Sequence, residues 1–341
     1  MTIRVLVAED SMTARELLVE ILRSDPGIEV VGEARNGVEA VEMTRTLHPD
    51  VVTMDIRMPR MDGFEATRQI MIEAPTPIVI VSTSLDVTEI AVSLDALRAG
   101  ALAVFPKPRG PGAASFEDDA QRFLDTVKAM SAVKVVRRWR RPDTAPARPS
   151  YVSSGVRPRV VALAASTGGP AALARILAGL RADFPLPILA VQHIATGFVD
   201  GLAAWLDRIG TLRVKVAEDG EALRPRTLYL APDDRHLELR DPATVALSTA
   251  APVGGFRPSA SHLFESVARA CGGSSIALIL TGMGDDGVAG LRAVRASGGT
   301  VIAQDQDSSA VFGMPAAAVE AGLAEIVLPL GGIADRLEEL V

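Results

Sequence analysis

The sequence predicts an α/β protein made of two doubly wound parallel-sheet domains, and three observations carry that prediction. Apolar runs of strand length alternate with stretches of helical periodicity from Ile3 to Met130. The alternation stops over a segment rich in proline and arginine, then resumes at Val160. The length of 341 residues exceeds what one hydrophobic core usually organises.

In the first half, Ile3 to Ala8 reads as a buried strand, and Leu17, Leu18, Ile21 and Leu22 mark one face of the helix that follows. Ile28 to Ala34, Val51 to Met54, Ile78 to Val81 and Ala101 to Phe105 are further strand runs, and a helix from Phe116 to Met130 closes the unit. Such alternation builds a parallel sheet covered by helices on both faces. Val133 to Arg159 then carries Arg137, Arg138, Arg140 and Arg141 followed by Pro142, Pro146, Pro149 and Pro158. Proline at this density breaks helices and strands, so the stretch reads as an interdomain linker with a solvated charge run. Beyond it, strands are predicted at Val160 to Ala164, Ile188 to Gln192, Thr227 to Ala231, Val245 to Ser248, Ile276 to Thr281, Thr300 to Ala303 and Glu325 to Leu328. Helical patterns fall at Pro170 to Leu180, Val199 to Ile209, Ala260 to Ala270 and Gly287 to Ala296. The expected boundaries are residues 1–125, a linker over 126–156, and residues 157–341.

Composition narrows the function classes. A hydrophobic fraction of 48% and a charged fraction of 23% fit a soluble globular chain. The single cysteine, Cys271, excludes an intrachain disulfide and fits a reducing cytosol. The start, Met-Thr-Ile-Arg, turns acidic by Glu9 and Asp10, unlike a signal peptide, and no apolar run matches a bilayer span. A cytoplasmic location without membrane insertion is therefore expected. The net charge of −7 argues against nucleic acid as a partner.

In a doubly wound sheet, functional groups gather beyond the carboxyl ends of the strands. In the first domain Glu9 and Asp10 follow the first strand, Asp55 the third, Ser82 and Thr83 the fourth, and Lys107 the fifth. Carboxylates converging there repel one another unless a cation joins them, and Mg2+ suits a site with few carboxylates completed by water and phosphate oxygens. Lys107 and Ser82 would hold the oxygens of a phosphoryl group, with an aspartate as nucleophile forming an acyl phosphate.

In the second domain, Ala164-Ala-Ser-Thr-Gly-Gly-Pro170 joins a strand to a helix. A serine there is exposed above the sheet, and the helix N-terminus offers backbone N–H donors to an oxyanion. Pro170 fits the first helical turn. The loop alone fits a phosphate-cradling turn equally well, so a base must decide. His193 ends the next strand at the same sheet edge as Ser166, with His236 as a rival, whereas His48 and His262 read as a loop and a helix histidine. Thr281-Gly-Met-Gly-Asp-Asp-Gly287 supplies Asp285 and Asp286 as orienting acids. A histidine between serine and a buried carboxylate activates a weak hydroxyl nucleophile. The chain order Ser, His, Asp differs from that of α/β-hydrolases.

Residues 1 to about 125 resemble a response-regulator receiver domain, carried by Asp55-Ile-Arg-Met-Pro-Arg-Met-Asp-Gly63 and Lys107-Pro108. That resemblance implies phosphate acceptance by Asp55 from a histidine kinase, Mg2+ held by Glu9, Asp10, Asp55 and the backbone carbonyl of Arg57, and an X-Pro bond after Lys107 that is able to be cis. The family's switch aromatic lies three residues before the lysine, where this chain has Val104; Phe105 stands one place closer. Residues from about 157 onward resemble the CheB family of chemotaxis protein-glutamate methylesterases. The motifs are Ala165-Ser-Thr-Gly-Gly169, Val191-Gln-His193, Tyr229-Leu-Ala-Pro-Asp-Asp-Arg-His236, Leu280-Thr-Gly-Met-Gly-Asp-Asp-Gly287 and Val311-Phe-Gly-Met-Pro315. This resemblance implies a Ser166, His193, Asp286 triad, with the backbone at Thr167 and Met283 as oxyanion candidates and no metal for ester hydrolysis. It also implies the methylated cytoplasmic domain of a chemoreceptor as substrate, with glutamine deamidation beside it; the receiver either blocks the active site until phosphorylated, which the resemblance favours, or aids capture of substrate. Alternatives are the same enzyme class in a non-flagellar pathway, or a non-catalytic receiver-regulated binding module. Two departures stand out in Phe256-Arg-Pro-Ser-Ala-Ser-His-Leu-Phe264: Phe256 replaces a histidine of the family pattern, and Ser261 an aspartate.

Overall fold

A computed structural model describes residues 2–82, 94–97, 99–113, 116–133 and 157–341. Thr83 and most of the proposed linker, including its arginine cluster, lie outside the described residues. The chain divides into two compact units, Met1–Pro142 and Asp143–Val341.

In the first unit β1 (Ile3–Ala8), β2 (Ile28–Ala34), β3 (Val51–Met54), β4 (Ile78–Ser82) and β5 (Ala103–Pro106) form one sheet in the order β2-β1-β3-β4-β5. Every pairing is parallel. Helices α1 (Met12–Arg23), α2 (Gly37–Leu47), α3 (Gly63–Glu73) and α4 (Phe116–Ser131) accompany it. The strand order reverses at β1 and β3, which opens a crevice at their carboxyl ends. Ala8 pairs with Met54 there, so Glu9 and Asp55 emerge side by side. Helix α4 continues beyond residue 125 to Ser131, burying Phe123, Leu124, Val127 and Met130.

In the second unit seven strands align parallel in the order β14-β13-β12-β6-β7-β9-β8. They are β6 (Val160–Ala165), β7 (Ile188–Gln192), β8 (Arg213–Val216), β9 (Thr227–Leu230), β12 (Ser275–Ile279), β13 (Thr300–Gln304) and β14 (Ile326–Leu328). The helices are α5 (Gly169–Gly179), α6 (Val199–Ile209), α7 (Ala260–Cys271), α8 (Val288–Ala296), α9 (Met314–Glu320) and α10 (Leu330–Glu339). The prediction of a single sheet needs one correction. The run read as a strand at Val245 to Ser248 belongs to β11 (Thr244–Ser248), which pairs antiparallel with β10 (His236–Asp241) as a separate hairpin. Leu237, Leu239 and Val245 of that hairpin share a core cluster with Leu263, Phe264 and Val267 of α7. Each fully buried side chain of this kind contributes roughly 1.5–3 kcal/mol. The hairpin thereby fixes α7, and the N-terminus of α7 reaches the candidate active site.

Candidate active site and phosphorylation site

Ser166 and His193 are placed by strand register. Ala165 at the end of β6 pairs with Gln192 at the end of β7, and the next residues are Ser166 and His193. The His193 N–H donates to the Ala165 carbonyl at 2.9 Å, and the Ser166 N–H to Thr281 at 3.0 Å. The amide of Gln192 donates to both the Ser166 carbonyl (2.8 Å) and the His193 carbonyl (2.9 Å), tying the two turns together. Gly169 is required for this staple, because a Cβ there would lie 2.0 Å from the Gln192 Oε1. Helix α5 starts at Gly169 with proline in its first turn, as expected. Among the described residues, the N–H groups of Thr167 and Met283 donate to nothing within the chain, so both are free to meet an oxyanion.

Asp286 follows β12 and is buried, whereas its neighbour Asp285 is exposed. Its Oδ2 lies 3.0 Å from the His193 Nε2, a contact in which the ring N–H does not point squarely at the oxygen. Nδ1 is buried and has no hydrogen-bond partner, the Ser166 hydroxyl included. Asp286 also accepts from the Ser259 hydroxyl (2.9 Å) and the backbone N–H groups of Ala260 (2.7 Å) and Ser261 (3.1 Å). Burial alone would raise its pKa. The imidazole contact and the two backbone donors outweigh burial and hold the carboxyl down to about 2. These donors form the first turn of α7, where the helix dipole favours an anion. Ser261 also accepts from the Gly287 N–H at 2.9 Å, so its hydroxyl belongs to the same shell.

The remaining histidines are engaged elsewhere. His236 is fully buried; its Nδ1 accepts from the Ser259 N–H (3.2 Å) and its Nε2 donates to the Ala251 carbonyl (3.1 Å). Both ring nitrogens are thus occupied, which removes His236 as a base for Ser166. His262 stacks on it at 4.2 Å and pairs with Glu238 at 2.6 Å. His48 is exposed and caps the C-terminus of α2.

In the first unit, one carboxylate oxygen each from Glu9, Asp10 and Asp55 lies within 4.8 Å of the others. Glu9 and Asp55 are buried and Asp10 is exposed. Lys107 places its Nζ 2.7 Å from Glu9 and 3.1 Å from Asp55. Burial raises the pKa of Asp55, and the Lys107 charge only partly opposes this. Burial likewise raises Glu9, the Lys107 hydrogen bond opposes, and the Asp55 charge adds to the rise. Two desolvated carboxylates sharing one ammonium, beside an exposed third, fit a hard divalent cation. Ser82 is buried at the end of β4, and its carbonyl accepts from the Lys107 N–H at 2.8 Å. Phe105 is buried, with its ring 5.5 Å from Phe123 of α4. Arg57 is exposed on the loop after Asp55. The cis X-Pro bond among the described residues is Arg257–Pro258, not Lys107–Pro108.

Sequence reading missed the Ser259 hydroxyl, the Gln192 staple and a ring contact of Phe256 with His193. Gln192 and Ser259 both stood in motifs already noted, but only Gln192 was adjacent to its partner; nothing local joined Ser259 to Asp286, 27 positions away.

The class this fold defines is a receiver-like unit followed by a parallel-sheet unit whose Ser166 turn and His193–Asp286 pair lie at one sheet edge. Residues 5–113 match the response regulator receiver domain and residues 161–337 match the CheB methylesterase. The chain belongs to the CheB methylesterase family. It is 59% identical over 341 residues to protein-glutamate methylesterase/protein-glutamine glutaminase 4 of Myxococcus xanthus (strain DK1622), covering 98% of this chain and 96% of that protein. It is 56% identical over 336 residues to protein-glutamate methylesterase/protein-glutamine glutaminase 3 of Anaeromyxobacter dehalogenans (strain 2CP-C), covering 98% of each. The crystal structure of the Thermotoga maritima CheB methylesterase catalytic domain is 41% identical with a TM-score of 0.53, covering 55% of this chain and all of that one. Among the described residues, no helix is long and apolar enough to cross a membrane.

Proposed function

We propose that this protein hydrolyses glutamate γ-methyl esters on chemoreceptors, and deamidates receptor glutamines, under control of phosphorylation at Asp55. The observation that carries the reading is the His193–Asp286 contact of 3.0 Å beside Ser166, in a chain whose relatives are named for both activities. The Ser166 Oγ attacks the carbonyl carbon while His193 Nδ1 takes the hydroxyl proton. The N–H groups of Thr167 and Met283 receive the oxyanion. Methanol, or ammonia from an amide, leaves with the proton from His193. Water then attacks the acyl-serine, giving its proton to His193, which passes it to the departing Ser166 oxygen as the glutamate side chain is released. Asp286, ionised at any pH well above about 2, holds the imidazole in one tautomer and stabilises the imidazolium.

Regulation is assigned to the first unit. Asp55 accepts phosphate from a histidine kinase, with Lys107 and Ser82 holding the phosphoryl oxygens. Glu9, Asp10, Asp55 and the Arg57 carbonyl would hold Mg2+, which when bound neutralises charge developing on the transferred group. Phe105 is the candidate switch aromatic, packed inward against Phe123. In this reading the receiver runs to the end of α4 at Ser131, past the expected boundary at 125, and residues 157–341 are the catalytic domain.

The test is methanol release from methylated receptor, with and without acetyl phosphate and Mg2+. Wild-type protein should release methanol faster with the phosphodonor, and Asp55→Ala should not respond. Ser166→Ala should lower turnover by about 10^4-fold or more while remaining folded. Undiminished release by Ser166→Ala would exclude the mechanism.

A further inference from the structure

The ring of Phe256 lies flat on the imidazole of His193, with centroids 4.3 Å apart and planes 8° from parallel. Phe256 is nonetheless 37% exposed, so it is not a core residue. A tight turn sets it there. Val253 and Phe256 exchange both backbone hydrogen bonds at 3.0 Å around Gly254 and Gly255, whose φ values are 59° and 87°. A two-residue turn with positive φ at both positions strongly prefers glycines. The next residue anchors the turn: Arg257 donates to Asp234 at 2.8 and 2.5 Å and to the carbonyls of Thr249 and Ala250 at 3.3 and 3.2 Å.

Phenylalanine has no polar atom to offer, so it acts on His193 only through its face. A flat partner restricts rotation of the imidazole about its own axis, which otherwise depends on the imperfectly aligned Asp286 contact. The negative face of an aromatic ring also attracts a cation, and the imidazolium is the cation formed as Ser166 loses its proton. We infer that Phe256 is a positioning residue for catalysis, a platform that holds the His193 ring in plane and favours its protonated form in the transition state. The inference rests on the reading of His193 as the base of Ser166.

Two measurements test it. Phe256→Leu keeps an apolar side chain but removes the flat face, and Phe256→Tyr restores the face. Phe256→Leu should lower kcat about tenfold with little change in KM, and Phe256→Tyr should stay within about twofold of wild type. The ring C–H resonances of His193 should be shifted upfield by the Phe256 ring current in the intact chain. They should move downfield in Phe256→Leu, and this can be read equally in the inactive Ser166→Ala background. A Phe256→Leu variant with unchanged kcat and a raised KM would make Phe256 a substrate contact and overturn the proposal. Histidine resonances indifferent to the substitution would deny the stack itself. Retained activity in His193→Gln would instead remove the base assignment, and the resonance data would distinguish that failure from loss of the stack.

Discussion

Asp55 of the first unit and Asp286 of the second are 6% and 8% exposed, and each sits beyond the carboxyl end of a parallel strand. Their chemistry diverges. Burial wins at Asp55 and raises its pKa, although Lys107 stands 3.1 Å away. Burial loses at Asp286, which is held at about 2. What differs is the supply of donors. Each carboxylate accepts from two backbone N–H groups, Ile56 and Arg57 at Asp55 and Ala260 and Ser261 at Asp286; beyond these, Asp55 has only a Lys107 that it shares with Glu9, whereas Asp286 has an unshared imidazole and the Ser259 hydroxyl. The first arrangement leaves negative charge under-compensated, which suits a site that takes a cation and a phosphoryl group. The second fixes a permanent anion against the His193 ring, which suits an orienting acid.

The sharpest way to break this contrast is to remove each charge. Asp286→Asn should cut turnover by about 10^4-fold through the wrong imidazole tautomer. Asp285→Asn, at an exposed position, should change it by less than about twofold. Equal losses would leave the orienting acid unassigned. Next in size is Ser259→Ala, which removes both a donor to Asp286 and the N-cap of α7. It should destabilise the second unit by about 1–3 kcal/mol and lower kcat by about tenfold. Normal kcat with reduced stability would restrict Ser259 to capping.

The smallest effects are the most diagnostic, because their signs oppose. Asp286 has a depressed folded pKa, so its charge stabilises the fold above the unfolded value near ~3.9 and that contribution is lost as pH falls through about 2. Asp55 has a raised folded pKa, so its contribution is present below the unfolded value and is lost as pH rises through the raised one. At neutral pH, Asp55→Asn should therefore raise the Tm of the first unit, with Lys107 still paired to Glu9. Asp286→Asn should lower the Tm of the second unit. Shifts of the same sign would break the contrast.

Much of this was readable in the sequence because strand ends are. Ala8, Met54, Ala165 and Gln192 close apolar runs, and the residues after them line the two crevices. The two strands that escaped were β8, whose Arg213 and Lys215 interrupt any apolar run, and β10, whose Glu238 and Arg240 alternate with leucines. Both are partly solvated, so their only signal is a short period-2 alternation rather than a continuous apolar run. The donors around Asp286 were illegible for a different reason. They belong to a helix start brought there by the packing of Leu263, Phe264 and Val267 on a hairpin, a tertiary event without a local pattern. Phe256 appeared only as a departure from a motif; Gly254 and Gly255 mark the turn that carries it, but nothing local places that turn against His193.

The most direct test of the contrast is the titration of the two aspartates in one sample, followed by carboxyl-carbon NMR of aspartate-labelled, metal-free protein. The account predicts that Asp286 remains ionised down to about pH 2 while Asp55 takes up its proton above the ordinary carboxylate range near ~3.9. Coincident titration of the two, or Asp286 protonating first as pH falls, would contradict it.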